Sequence, residues 1–172
     1  MLIEYTPKRS QIEYAHNRAR EYLANPIGRP IMCQSEDKSD EQMMVGGFLF
    51  EAIVREHYQC PLVGEHGGDH DIVIETKKVE LVSTIVKRKP HAEYHMLRPF
   101  RRKTDATHFI FGCVMIDFTK VWLAGWLPTP AFIDAKNFRR VGEVQHGGFT
   151  YKMDCFDVQL FQLKKLRAPK SP

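Results

Sequence analysis

Two helix-like segments, a following run of strand-like segments, and room for a single hydrophobic core predict one domain of the α/β or α+β class. The chain has 172 residues, the size of one ordinary domain and too short for two. Its composition is 43% hydrophobic and 27% charged, which fits a globular protein and not a disordered one. No repeat, low-complexity tract or linker divides the chain, so residues 1–172 read as one domain.

The first helix is expected over residues 8–24, with Ser10 as a candidate cap and Ile12, Ala15, Ala19, Tyr22 and Leu23 recurring near the helical period. Pro26, Gly28 and Pro30 place a loop at 25–37. A second helix is expected over 40–58, capped by Ser39 or Asp40, with Met43, Met44, Phe48, Phe50, Ile53 and Val54 as its apolar surface. Gly46 and Gly47 weaken that helix by about 1 kcal/mol each relative to alanine, a cost that close approach of a strand would explain. Pro61 and Gly64 end it.

Strands rich in valine and isoleucine are expected at 71–75 and 79–86, joined by the polar ETKK as a hairpin turn. A second antiparallel pair follows at 107–117 (THFIFGCVMID) and 120–127 (KVWLAGWL). Trp122 and Trp126 would share a face of a regular strand, for core packing or for base stacking. A short helix is expected at 129–134, a strand at 149–153, and either strand or helix at 156–165. HAEYHMLRPFRRK at 91–103 reads as a loop or short amphipathic helix; its basic and aromatic residues also suit phosphate contacts and stacking.

The chemistry-bearing features are charged. Net charge is +4, and Lys77, Lys78, Lys87, Arg88, Lys89, Arg98, Arg101, Arg102 and Lys103 fall in one third of the chain. Such a cluster suits a polyanion such as DNA, or is a solvated basic face. Cys33, Cys60, Cys113 and Cys155 are scattered without a paired spacing, which predicts free thiols. The N-terminal segment has no signal-peptide core and no apolar stretch approaches the roughly 18 residues of a membrane helix, so an intracellular protein without a membrane partner is expected. GEHGGDHD at 64–71 is a glycine-rich loop or, through its histidines, a transition-metal site; His70 could touch substrate. P-loop, dinucleotide and nucleophile-elbow fingerprints are absent.

Three carboxylates stand out. Glu75-Thr76-Lys77 is a literal E-x-K triplet, but Asp71 and Glu75 on one strand would lie about 13 Å apart, too far to share a metal. Glu80 is better placed, because a hairpin can bring it beside Asp71. Glu51 lies in the apolar GGFLFEAIVREH and either faces solvent, with Arg55 one turn on as an i,i+4 partner, or points at a metal or hydrogen-bond site. Three such oxygen donors suit Mg²⁺ or Mn²⁺.

A helix glutamate (Glu51), a strand aspartate before an apolar run (Asp71-Ile-Val-Ile) and a hairpin to Val79-Glu80-Leu81 resemble the PD-(D/E)XK nuclease superfamily, and GWLPTPAF at 125–132 resembles its small phage-type members. The likeness spans about residues 40–135. It implies a restriction endonuclease-like core, a mixed central sheet flanked by helices, preceded by the helix at 8–24 and followed by a C-terminal β/α extension. It also implies a metal-dependent nuclease hydrolysing DNA, with Mg²⁺ or Mn²⁺ held by Asp71, Glu80 and Glu51. The family lysine falls on Val82, which has no charge to offer. Arg55, from the Glu51 face, or Lys78, on the Glu80 strand face, would then supply the positive group, whereas Lys87 lies on the opposite face. Lys87, Arg88, Lys89, Arg98, Arg101, Arg102 and Lys103 would guide nucleic acid. The alternative implied by Val82 is a catalytically inactive DNA-binding or protein-interaction module. The resemblance carries an expected cytoplasmic location, the host cytoplasm for a phage-encoded chain, and allows a homo-oligomer.

Overall fold

The fold was taken from a computed structural model, which describes residues 2–24, 39–61, 70–100, 104–145 and 148–166. Strand β1 (Ile3–Tyr5) leads into helix α1 (Arg9–Ala24). Helix α2 (Asp40–His57) begins at Ser39, whose hydroxyl accepts from the Gln42 amide while the Gln42 side chain returns to the Ser39 amide. This reciprocal capping box selects Ser39 over Asp40 as the N-cap. Gly46 lets α2 approach the following sheet: a Cβ there would lie 2.9 Å from Ile85 Cγ1. Gly47 faces open space, so strand approach explains only the first of the pair.

Strands β2 (Ile72–Ile74) and β3 (Lys77–Val86) form the expected hairpin. Its turn is only Glu75-Thr76, with Glu75 at φ 56°, so Lys77 and Lys78 belong to β3 and not to the turn. Strand β4 (His95–Pro99) lies where a loop or short helix was expected. Strands β5 (His108–Met115) and β6 (Val121–Pro128) form the expected antiparallel pair, and α3 (Thr129–Phe132) is the short helix after them. The expected strand at 149–153 is reduced to one bridge, Val144 with Thr150. The C-terminal element opens as strand β8 (Cys155–Gln159), after the short β7 (Phe138–Arg139), and continues as a 3-10 turn at Leu160–Gln162.

The strands make two sheets. The larger has the order β1-β6-β5-β3-β2, with β3 and β5 parallel and the other neighbours antiparallel. The smaller is β4-β8-β7, all antiparallel. One face of the large sheet (Val79, Ile110, Val114 and Leu123) packs with Val45, Leu49, Phe50 and Ile53 of α2 and with Ala15 and Ala19 of α1. The opposite face (Val82, Phe109, Phe111 and Trp122) packs with Met96 of β4 and with Phe156 and Val158 of β8. The chain is thus a mixed α/β protein whose central sheet carries α1 and α2 on one face and a small antiparallel sheet on the other. Gly112 sits at the tightest helix contact, where any Cβ would overlap the Phe50 ring.

Trp122 and Trp126 do not share a face. Phe111 pairs with Gly125 and Gly112 with Leu123, which leaves Ala124 as an extra residue. This bulge reverses the alternation beyond it. Trp122 therefore joins the inter-sheet core, while Trp126 packs on the helix side.

Candidate carboxylate site and basic surface

Asp71 immediately precedes β2 and brackets Glu80. Its amide donates to Val79 O at 3.0 Å, and its carboxylate accepts from the Leu81 amide at 2.7 Å. The side chain thus takes a bond that a longer β2 would supply from its backbone, which stops the ladder at that point.

Glu80 is 7% exposed and shares strand parity with Val82, so it looks into the layer between the sheets. Arg98 of β4 meets it there. Arg98 Nε donates to Glu80 Oε1 and Nη2 to Oε2, both at 2.7 Å, and Thr104 Oγ1 donates to Oε2 at 3.0 Å. The guanidinium carbon lies 5.1 Å from the Phe109 ring centroid, and Arg98 itself is 3% exposed. Its Nη1 finds no hydrogen-bond partner among the described residues. Two parallel charge-assisted bonds are the strongest arrangement an arginine offers a carboxylate. Val82, two residues on, is buried in apolar contacts.

Glu51 lies on α2 and so on the other side of the large sheet. Its Oε1 accepts from Arg55 Nε at 2.8 Å, so the expected i,i+4 partner is there, but the pair is buried and does not face solvent. Arg55 also donates to Pro61 O at 2.5 Å and to Asp71 O at 3.3 Å, which ties the end of α2 to the entry of β2. Arg55 therefore serves Glu51 and two backbone carbonyls and does not reach across the sheet to Glu80. Lys78, the other candidate positive group, donates to Asp105 at 2.7 Å, with His70 against the same carboxylate at 3.0 Å. The Lys78 bond, assisted by His70, holds the Asp105 carboxyl below its ordinary range. Among the described residues no group of three or more His, Cys, Asp or Glu side chains is arranged to hold a metal ion.

Lys87, Arg88 and Lys89 are exposed where β3 ends. Arg98 does not join them, because pairing of β4 with β8 turns it inward; it belongs to the interior and not to the basic surface. Arg101, Arg102 and Lys103, most of the 64–71 loop and Cys33 lie outside the described residues. Cys60, Cys113 and Cys155 are free thiols.

Sequence reasoning missed the partners of Glu80 and a second polar cluster in the small sheet. Asp157, buried in β8, accepts from Tyr151 OH and faces His95 Nδ1 at 2.8 Å. Burial, then the Asp157 hydrogen bond, pushes the Tyr151 phenol up. The alternation of Met96 and Arg98 in HMLRP was the available signal for β4, but the basic residues around it masked the strand. Elsewhere, a half-open cleft of about 210 Å³ lies at the hairpin end on the helix side, between Tyr58, Ile74, Lys77, His108 and Trp126. Burial, then Lys77 and Lys164, lowers the pKa of His108 there.

No protein-family model matches the chain, and no curated protein matches it.

Proposed function

We propose that this chain is a nuclease-type fold that holds DNA without cutting it. One observation carries the reading: both oxygens of Glu80 are bound by a buried arginine, at 2.7 Å each. The nuclease-like lineage is supported by α2, β2 and β3 following in the expected order, with Asp71 brought against the backbone on either side of Glu80. As arranged, the residues do not fit Mg²⁺ or Mn²⁺. Such an ion needs carboxylate oxygens at about 2.1 Å with a near-octahedral shell. Here Glu80 is occupied by a guanidinium, and Glu51 is paired on the opposite sheet face. Holding DNA would fall to Lys87, Arg88 and Lys89, with Arg101, Arg102 and Lys103 continuing the basic run in sequence.

A metal-dependent nuclease is the second reading, favoured by the way Asp71 brackets Glu80. One experiment separates the two. Labelled single- and double-stranded DNA is incubated with the protein in EDTA, Mg²⁺ or Mn²⁺, and binding is followed by anisotropy across salt. The holding reading expects binding that weakens as salt rises, because phosphate contacts release counterions, and no cleavage. Replacing Lys87, Arg88 and Lys89 together with glutamine should flatten the salt slope by about one for each phosphate no longer neutralised. Metal-dependent cleavage that disappears in Asp71→Ala would instead establish the nuclease.

A further inference from the structure

We propose that Arg98 is a built-in cation that occupies the place of a divalent metal at Glu80 and keeps metal away from it. The inference deepens the reading of a fold that holds DNA without cutting and rests on it. A carboxylate as buried as Glu80 needs a compensating cation, because an unpaired charge is strongly disfavoured in a low-dielectric layer. A divalent ion or a guanidinium can meet that need. A chelated ion would lie in the plane of the carboxylate between its two oxygens, which is the sector that the Arg98 fork fills.

Three further contacts show that the guanidinium is built into its place and not merely passing through. Strand β4 presents it by pairing Arg98 with Phe156 of β8. The Phe109 ring lies beside it, 5.1 Å from centroid to guanidinium carbon. Thr104 adds a third donor to the oxygen that Nη2 already binds. Val82 faces the same layer as an apolar side chain, so the position two residues beyond Glu80 adds no second charge. Among the described residues Arg98 is the one cation bonded to Glu80.

The test is Mn²⁺ titration, followed by the free-ion electron paramagnetic resonance signal, on the wild-type protein, Glu80→Gln, Arg98→Gln, Arg98→Lys and the double variant Arg98→Gln/Glu80→Gln, with folding checked by circular dichroism. The wild type should take up no Mn²⁺ that depends on Glu80. Arg98→Gln should gain one site, at least tenfold tighter than anything in the wild type, and lose it again in the double variant. Arg98→Lys keeps one positive charge but cannot bind both oxygens, so its Mn²⁺ affinity should fall between the two. Wild-type Mn²⁺ binding that Glu80→Gln abolishes would overturn the proposal, even if the arginine variants fail to fold. A folded Arg98→Gln that gains no site would overturn it as well. DNA binding by the wild type in EDTA reports separately on the holding function: its absence would remove that function while the Mn²⁺ result stands.

Discussion

Two buried glutamate–arginine pairs lie on opposite faces of the same sheet, and they are built differently. On the helix side, Glu51 and Arg55 are one turn apart on α2 and share one short bond, and Arg55 goes on to one backbone carbonyl just past the end of α2 and one at the entry of β2. Between the sheets, Glu80 and Arg98 are 18 residues apart on two different strands, and the arginine gives both prongs to one carboxylate. The first pair is a clamp that joins two segments through their backbones. The second satisfies a charge within a layer that is otherwise aromatic and aliphatic. Burial alone does not distinguish the pairs, since all four side chains are nearly inaccessible. The number of bonds made to the carboxylate does, and it ranks what each arginine contributes.

The largest effect is expected from removing Arg98. Arg98→Met leaves Glu80 buried and unpaired and should destabilise the fold by about 3–5 kcal/mol in urea denaturation, whereas Glu80→Leu combined with Arg98→Met should recover most of that loss. If the double variant stays as unstable as the single one, the pair is not a self-contained charge-neutral unit. Arg55→Met should fall at the lower end of the same range, about 3 kcal/mol, because Glu51 receives a single bond from Arg55. A larger loss there than for Arg98→Met would reverse the ranking and make the helix clamp the dominant pair.

Asp71→Ala removes a charged acceptor from the Leu81 amide and should cost about 1.5–3 kcal/mol, with faster hydrogen exchange at that amide. Asp71→Asn keeps an oxygen acceptor and should lose less; equal losses would mean that the charge, and not the bond, holds the end of β2. The smallest effect concerns Asp105 on the exposed side of the hairpin. Lys78, then His70, lowers its pKa from the ordinary 3.8, so its contribution is fully present above that value and is lost as pH falls through the lower folded value. The stability difference between wild type and Asp105→Asn should therefore shrink as pH falls below about 4, as followed by acid titration of the unfolding midpoint.

Much of the fold was legible because it is local. The helices at 9–24 and 40–57, the hairpin after Asp71 and the antiparallel pair before Pro128 follow from periodicity, a capping residue and short turns. The Glu51–Arg55 pair was legible for the same reason, as an i,i+4 contact. Strand β1 was too short to show a pattern, and β7, with two residues, could not show one. Strand β4 was hidden because its alternation is carried by Met96 and by an arginine that looks like a surface residue in sequence. The faces of Trp122 and Trp126 were misplaced because one extra residue, Ala124, shifts the strand by a step, and a step of one exchanges the two faces.

By itself the sequence determined the class of the fold, the order of most of its elements and the fact that acidic residues are set among apolar ones near a hairpin. These depend on contacts between residues a few positions apart, where helical and strand periods leave few arrangements. The tertiary structure alone decided which way each acid faces and which cation meets it. Glu51 and Glu80 were placed on opposite sides of one sheet, and Glu80 was given to Arg98 and not to Lys78 or Arg55. That outcome depends on the pairing of β4 with β8, whose partner residues Arg98 and Phe156 are remote in sequence. Register between such distant strands is set by the packing of the whole core, and no local pattern encodes it.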